Sequence, residues 1–391
     1  MYAIYFYLSL VPRIIGQQIH STMKKILIIQ DDLAVGGMER FVLNLCNHLD
    51  PNEFSINLLL LSDDKNEMIS QLKTNIKKWI LPNKLEDVMS PLKMVFLIPS
   101  IRAVVKEVSP DIIHTHSYQF RLSFIQMGCL LAFRPVKFIH TIHTTGIYYE
   151  NKTLWHSFKI SIEKLLYLFY KTTVVGVSEP VYLQCKKIFS GYKRLYYINN
   201  GIDTNYSSIK KCVELGTNTI NIVYVARLDS GKNHKRLLEA VTKINNDNIR
   251  LYLLGEGPLK QELCDKVESL GISENVVFMG NRSDVKEILS ACHIGVFPSL
   301  YEGFGLALLE MAAAGLPIVC SDILVFRKLL FSAPDNVFFD PYDSEDIMRK
   351  IENVIRNAEL RRQLSKMSKS IASNYTINKM AKEYSLLYES L

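Results

Sequence analysis

From Lys25 onward, short apolar runs rich in β-branched residues alternate with longer amphipathic segments. Apolar runs of four to eight residues are typical of buried parallel strands, and the longer segments repeat with the period of a helix. The first series of predicted strands covers residues 26–30, 55–61, 78–81, 111–115, 137–142, 173–177 and 195–198. After a polar stretch, a second series covers 219–226, 250–254, 275–279, 294–298, 317–321 and 336–339. The pattern predicts two Rossmann-like α/β domains, each a doubly wound parallel sheet.

The predicted domains occupy residues 23–199 and 200–374, and a helix over 375–391 ends the chain. Ligands of open α/β sheets bind beyond the carboxyl ends of the strands, so a cleft between the two sheets is the expected site. Residues 1–22 are predicted to be a dispensable or wrongly included extension. Their apolar part is shorter than the ~20 residues that cross a bilayer, and Met23 stands directly before the first strand.

Composition narrows the class of protein. The 391 residues are 48% hydrophobic and 22% charged, which is typical of globular domains. Seven scattered cysteines without a Cys-x-x-Cys pair argue against a disulfide framework or a zinc site and favour a cytoplasmic protein. The basic excess lies in the first half, with 23 Lys and Arg against 15 Asp and Glu through Ile198, and 23 against 24 after it. Such a surface either faces an anionic membrane or acceptor or is simply solvated, and no nucleic-acid partner is expected.

The stretch FPSLYEGFGLALLEMAAAGLPIV, at 297–319, predicts a strand, a glycine turn and a helix. Gly303 and Gly305 allow backbone amides to approach a ligand, and the N-terminus of the following helix carries a partial positive charge. Glu302 and Glu310 bracket this turn and would stand ~12 Å apart if all intervening residues were helical. An ordinary turn with solvated glutamates fits the same spacing, so both interpretations stay open.

The segment EGFGLALLE resembles the E-x7-E signature of retaining nucleotide-sugar glycosyltransferases, family four of the GT-B type. The resemblance extends over nearly all of the chain from Met23. It implies that Glu302 holds the transferred sugar, that Glu310 holds the ribose, and that the last helix crosses back to pack on the first domain. The backbone amides that it implies for sugar or phosphate oxygens are those of Gly303, Phe304, Gly305 and Leu306.

Two cations follow the first strand of the second domain, Arg227 and Lys232 in IVYVARLDSGKNH. By themselves they form a basic loop, and the resemblance implies that they bind the diphosphate. Cations fixed there would stabilise the charge that develops on the leaving group as the glycosidic bond breaks. No Asp-x-Asp triplet occurs in the chain, so neither a metal nor a cofactor is expected. A UDP-sugar is the favoured donor, with GDP- and ADP-sugars as alternatives.

Glycines and histidines mark the corresponding edge of the first domain. Gly36 and Gly37, in QDDLAVGGMER, form either a plain tight turn or the family's glycine loop over the donor and acceptor. His143, in TIHTTG, matches the family histidine that contacts the transferred sugar. His116, in HTHSY, is a candidate near the acceptor, whereas His114 is expected to face the other side of its strand and to be structural.

Three further turns carry weaker signals. Ser178, in VGVSEPV, resembles a segment at the family's interdomain crossing on the acceptor side, and it would serve equally as a helix cap. In the second domain, Gly255 in LLGEGP and Gly280 in FMGNRSDV are implied to line the nucleotide base through backbone groups. Arg282 either contacts the base or caps the next helix.

The resemblance implies a hexosyltransferase that moves a sugar from a nucleotide-diphosphate donor to a hydroxyl of a saccharide or lipid-linked saccharide, in cell-surface polysaccharide assembly. The alternatives are a nucleotide-sugar epimerase or hydrolase of the same fold and a catalytically silent nucleotide-sugar-binding subunit. Residues 152–173 combine lysines with Trp155, Phe158, Tyr167 and Phe169. This segment is predicted to lie either on an anionic membrane or in the core with its lysines reaching solvent. The expected location is cytoplasmic, at the inner face of the membrane if this segment binds there.

Overall fold

The computed structural model describes residues 23–116, 125–126, 136–144, 154–206, 215–216, 218–246 and 248–391. For residues 89, 91, 92 and 154–159 the description is limited to the backbone. The predicted extension at residues 1–22 lies outside the described residues.

The first of two parallel sheets has seven strands in the order β3-β2-β1-β4-β5-β6-β7. Its strands are β1 Lys24–Gln30, β2 Phe54–Leu60, β3 Lys77–Ile80, β4 Ile112–Thr115, β5 Lys137–Ile142, β6 Thr173–Gly176 and β7 Leu195–Tyr197. Both faces are covered by apolar side chains, as a parallel sheet requires: Ile26 and Ile28 lie in one core cluster, and Leu27 and Ile29 lie in another. The order reverses next to β1, which places the end of that strand at a switch point where ligands bind.

The second sheet has six parallel strands in the order β10-β9-β8-β11-β12-β13. They are β8 Ile220–Val225, β9 Ile249–Leu254, β10 Val276–Gly280, β11 Ile294–Phe297, β12 Ile318–Ser321 and β13 Phe338–Phe339. Every strand predicted from the sequence is present, and each boundary lies within two residues of the expected one. The order reverses between β8 and β11, so the loops after these two strands lie at the second switch point.

Helices connect the strands on both faces of each sheet. In the part of the chain that the first sheet spans they are α1 Gly37–His48, α2 Leu85–Met89, α3 Pro91–Val108, α4 Leu154–Tyr170 and α5 Glu179–Ile188. In the part that the second sheet spans they are α6 His234–Val241, α7 Lys260–Ser269, α8 Val285–Ala291, α9 Leu306–Ala313 and α10 Leu324–Leu329. The chain ends with α11 Ser344–Arg356, α12 Ala358–Ala372 and α13 Ile377–Glu389, and the last of these lies within the helix predicted over 375–391.

The last helix, α13, returns to the first sheet, as the resemblance implied. Its Tyr384 and Tyr388 are fully buried in the same cluster as Phe41 of α1. The crossing is tight, because a Cβ on Gly201 would stand 2.6 Å from the Cα of Ile377. The two halves are therefore joined twice, and both crossings lie side by side.

Candidate active site

The E-x7-E corner connects β11 to α9. The helix starts only at Leu306, after Gly305 in a left-handed conformation with φ of 95°, so only the second half of the span between Glu302 and Glu310 is helical. Glycine adopts that φ at little cost because it has no Cβ. In any other residue the Cβ would clash with the backbone there. The turn therefore directs the N-terminus of α9 and the residues before it toward the cleft.

Lys232 and Glu302 form an ion pair at this corner. Lys232 Nζ lies 2.5 Å from Glu302 Oε1, and the two side chains are 23% and 12% exposed. Ser299 Oγ donates a second hydrogen bond to the same carboxylate oxygen, at 3.0 Å. Below them, the Tyr224 hydroxyl donates to the Lys232 carbonyl at 3.0 Å. The basic loop after β8 and the loop after β11 are thus held together by a charge-assisted contact.

Arg227 and the glycines after β9 and β10 complete this edge of the second sheet. The Arg227 side chain is exposed and forms no hydrogen bond or ion pair with any described residue. Gly255 lies against the backbone of Ala226, where a Cβ would stand 2.9 Å from the carbonyl carbon, and its amide donates to the carbonyl of Gly280 at 2.8 Å. The ends of β8, β9 and β10 are therefore packed backbone to backbone.

Glu310 lies one turn into α9 and is partly buried. Burial raises the pKa of its carboxyl, and the positive charges of Arg40 and Lys286 oppose this rise. The carboxylate has no hydrogen-bond partner among the described residues. A partly desolvated acceptor with unused lone pairs is suited to sugar hydroxyl groups, which can donate to both of its oxygens.

The two halves meet directly at Gly303. A Cβ on this residue would overlap the carbonyl oxygen of His143 and stand 2.9 Å from its carbonyl carbon. Ser178 Oγ donates to the Gly303 carbonyl at 2.7 Å and also accepts from the amide of Val181 at the start of α5. Ser178 is thus both a helix cap and a contact between the halves, so the two readings of this residue are not exclusive. Gly37 lies opposite Leu306 at ordinary contact distance, with 3.7 Å between a built Cβ and Leu306 Cδ1.

The histidines form a buried layer beneath this contact. His116 Nδ1 lies 3.1 Å from His143 Nε2, and the ring of Phe41 packs on both. His114 is fully buried and bonds the Tyr388 hydroxyl through Nδ1 and Thr141 Oγ1 through Nε2, each at 2.7 Å. Desolvation lowers the pKa of His143 to about 3 and holds the pKa of His116 well below its usual value. Both rings are therefore neutral, and one of them donates a hydrogen bond to the other.

One expectation about this layer was wrong. His114 does not face the opposite side of its strand from His116, because residues two apart share a side and the ring centroids are 4.2 Å apart. Its prediction as a structural residue agrees with its fully bonded, buried ring.

Arg282 is paired within its own loop. Its guanidinium forms a bidentate pair with Asp284, at 2.8 and 2.7 Å, on the exposed side of the loop after β10.

Sequence reasoning missed Glu39, which follows the glycines of the β1–α1 turn and carries a pKa raised to about 7 by burial. The sequence did contain a signal for Glu39: it lies three residues after Gly36, in the first turn of α1, which faces the cleft.

Among the described residues, no three His, Cys, Asp or Glu side chains are grouped as metal ligands would be. The expectation that the reaction needs no metal stays a prediction.

Two family models match the chain in succession. The one described as Glycosyltransferase Family 4 matches residues 35–206, and the one described as Glycosyl transferases group 1 matches residues 207–370. Together they include the glycine turn, the basic loop and the E-x7-E corner. The chain belongs to glycosyltransferase family 4. The resemblance drawn from EGFGLALLE is confirmed, and the protein is a glycosyltransferase.

Curated relatives of this family 4 enzyme match it over nearly its whole length. N-acetylgalactosamine-N,N'-diacetylbacillosaminyl-diphospho-undecaprenol 4-alpha-N-acetylgalactosaminyltransferase of Campylobacter jejuni is 24% identical over 368 residues, which are 92% of this chain and 98% of the relative. UDP-Gal:alpha-D-GlcNAc-diphosphoundecaprenol alpha-1,3-galactosyltransferase of Escherichia coli is 25% identical over 386 residues, or 94% and 98%.

Solved structures confirm the GT-B fold. HepE from Anabaena in complex with UDP and glucose superposes with a TM-score of 0.78 at 17% identity, over 94% of this chain and all of that one. WaaG, a glycosyltransferase involved in lipopolysaccharide biosynthesis, gives 0.72 at 14% identity, over 92% and 98%. Of the described helices, none combines the length and the apolar character needed to cross a bilayer.

Proposed function

We propose that this glycosyltransferase transfers a hexose-type sugar, with retention, from a nucleotide-diphosphate sugar to a hydroxyl of a saccharide linked to a lipid diphosphate. The relatives from Campylobacter jejuni and Escherichia coli are named for acceptors carried on a diphospho-undecaprenol, and one of them for a UDP-sugar. Both relatives match almost end to end with this chain. UDP is the favoured nucleotide, and cell-surface polysaccharide assembly is the process that fits such an acceptor.

The observation that carries the proposal is the convergence of opposite charges at the cleft. Lys232 is paired with Glu302, in the loop that leads into α9, whereas Arg227, which follows the same strand as Lys232, forms no hydrogen bond or ion pair with any described residue. A diphosphate placed there would meet two cations and a helix N-terminus. In the proposed roles, Arg227 and Lys232 stabilise the leaving diphosphate, Glu302 holds the sugar, and Glu310 holds the ribose.

The first domain closes over the sugar in this proposal. His143 lies in direct contact with Gly303, so a sugar held by the amides of Gly303 to Leu306 would lie beside the imidazole. Because that imidazole is neutral, it can accept or donate a hydrogen bond to a hydroxyl without adding charge. His116 and Ser178 orient this contact from the acceptor side. No protein nucleophile is assigned.

A kinetic comparison of three variants tests the assignment. Transfer is measured with a panel of UDP-hexoses and undecaprenyl-diphosphate-linked saccharides as acceptors. We expect Lys232→Ala to lower kcat by about 100-fold or more, as for the loss of one preorganised electrostatic donor, and Glu310→Ala to raise KM for the donor. The matched control is Lys235→Ala, since Lys235 is exposed and pairs with Glu262, and it should change the rate less than about twofold.

Two results would contradict the proposal. Product formation without any acceptor would indicate a hydrolase or an epimerase. Binding of UDP-sugars without turnover on any acceptor would indicate a silent binding subunit. A thermal-shift screen finds the donor first, because a ligand at 100 times its Kd stabilises the folded protein by ~2.7 kcal/mol.

We further propose that the outer face of α4 rests on an anionic membrane. Leu165, Leu168 and Phe169 are 64%, 53% and 72% exposed there, whereas Tyr167 is fully buried on the inner face. Basic groups border this apolar stripe: Lys164 bonds the carbonyl of Ser190, and Arg194 bonds the carbonyl of Lys171, both in the adjoining loops. Helices that lie in the interface of an anionic bilayer typically combine exposed apolar side chains with neighbouring cations.

Vesicle co-sedimentation tests this surface. The variant Leu165→Ser with Phe169→Ser should lose most binding to vesicles that contain phosphatidylglycerol. The control, Phe331→Ser, removes a side chain that is 70% exposed beyond α10 and should bind normally. Equal binding of both variants, or equal binding to neutral vesicles, would contradict the assignment. Trp155 and Phe158 of the same helix lie outside the described side chains.

A further inference from the structure

The imidazole of His116 has one nitrogen that forms a hydrogen bond and one that forms none. Its Nδ1 lies 3.1 Å from Nε2 of His143, whereas its Nε2 is buried and has no hydrogen-bond partner in the described part of the chain. A buried polar atom without a partner destabilises a fold, so natural structures contain few of them. The neighbouring His114 is different, because both of its ring nitrogens bond hydroxyl groups, at 2.7 Å each. The bond to His143 is thus the one polar contact that the His116 imidazole makes with a described residue.

Neighbouring rings fix the orientation of the His116 side chain. The ring of His114 packs on it with 4.2 Å between centroids, and the ring of Phe41 lies 5.2 Å away. His114 is in turn anchored to the last helix by its bond to the Tyr388 hydroxyl. A side chain whose rotamer is locked by packing can hold its partner in a fixed geometry. The His116 imidazole is therefore a rigid support for the ring that it bonds.

The His143 ring offers a ligand only one of its two nitrogens. Its Nε2 is occupied by His116, and Phe41 packs on the ring with 5.0 Å between centroids. Its Nδ1 forms no hydrogen bond with any described residue, and the side chain is partly exposed. The His143 carbonyl lies against Gly303, at the turn whose amides are proposed to hold the sugar. Nδ1 is thus the atom of this imidazole that a bound sugar can reach.

We propose that His116 is a positioning residue for the transferred sugar: it holds Nε2 of His143 and so presents Nδ1 of His143 to a hydroxyl group of the donor sugar. The inference rests on the donor site proposed above, which assigns His143 to the sugar without a choice between its two nitrogens. Because a single hydrogen bond joins the two rings, one ring donates and the other accepts. The tautomer of His143 is therefore coupled to that of His116, and this pair decides whether Nδ1 donates or accepts toward the sugar.

Two substitutions at position 116 separate the nitrogen that bonds His143 from the one that bonds nothing. Asparagine carries its amide group on Cγ, as histidine carries Nδ1, so His116→Asn retains a polar atom for His143 and removes the buried Nε2. His116→Leu removes both nitrogens. Transfer is measured with UDP-glucose, UDP-galactose and their N-acetylamino forms as donors. We expect His116→Leu to lower kcat/KM by about 10- to 100-fold, as for loss of a group that orients a ligating histidine, and His116→Asn to stay within about fivefold of the unmodified enzyme.

A double-mutant cycle shows whether His116 acts through His143. His143→Asn has no atom at the place of Nε2, so adding His116→Leu to it should change the rate by less than about twofold. The Kd for UDP should stay within about twofold in every variant, because UDP lacks the sugar that meets Nδ1. The thermal midpoint should fall clearly in His114→Leu, which breaks two buried hydrogen bonds, and little in His116→Leu. His48→Leu is the control, since His48 is exposed at the end of α1, and it should change transfer by less than about twofold.

The outcomes separate this inference from the proposed function. Normal transfer by His116→Leu, or equal losses in His116→Leu and His116→Asn, would overturn the positioning role and leave the donor site in place. Additive losses in the double variant, or a loss of UDP affinity that parallels the loss of transfer, would do the same, because His116 would then act on the fold as a whole. Absence of transfer by the unmodified enzyme with all four donors would overturn the proposed function and this inference together.

Discussion

Substitution of Gly303 by alanine offers the sharpest test of how the two halves meet. The new Cβ would overlap the carbonyl oxygen of His143 and stand 2.9 Å from its carbonyl carbon. Carbon atoms pack at about 3.5–4.0 Å, so the loop after β11 and the end of β5 must separate by about 1 Å. Both contacting atoms belong to the backbone, so no flexible side-chain end can move aside.

A shift of this size falls where the sugar is proposed to lie. Misplacement of reacting groups by about 1 Å costs roughly 100-fold in rate, which corresponds to about 2.7 kcal/mol in the activation barrier. We therefore expect Gly303→Ala to lower kcat/KM by about 100-fold. The thermal midpoint should fall as well, because Ile142 and Phe304, which flank this contact, belong to one core cluster that spans both halves.

Steady-state transfer kinetics and thermal denaturation provide the measurement. The control is Gly37→Ala, a glycine in the same cleft whose added Cβ finds only Leu306 Cδ1, at 3.7 Å, which is ordinary contact. It should stay within about threefold of the unmodified enzyme. Turnover by Gly303→Ala within twofold of normal would refute the reasoning, as would equal damage from both substitutions.

Two further predictions concern stability. Ser178→Ala removes the hydrogen bond to the Gly303 carbonyl and the cap on Val181, and it should lower the free energy of unfolding by about 1–3 kcal/mol; an unchanged urea midpoint would argue against a buried double role. Because burial lowers the pKa of His140 to about 4, the unfolded chain binds the proton more readily, so stability present above pH 6.5 falls as the pH drops toward 4. Denaturation at several pH values should show a slope of about 1.4 kcal/mol per pH unit from this group, and His140→Asn should remove that share.

The pattern along the chain determined the elements and their arrangement. Short β-branched runs between amphipathic segments allow few alternatives to a buried parallel sheet, because such strands are apolar on both faces. The glycine turn at 303–305 and the basic loop at 227–232 follow strands directly, so their place at the cleft edge could be predicted as well. Topology alone brings the carboxyl ends of parallel strands to one side.

Contacts between distant residues were decided by the tertiary structure. The ion pair of Lys232 with Glu302 and the hydrogen bond from Ser178 to the Gly303 carbonyl join residues from separate loops or separate halves, whose distance no local period encodes. The sequence offered Arg282 as a base contact or a helix cap, and only the fold showed its guanidinium turned to Asp284. The local pattern therefore specifies which residues reach the edge of the cleft. Packing of the two halves specifies which of those residues touch, because side-chain pairing and burial depend on neighbours that are distant in the chain.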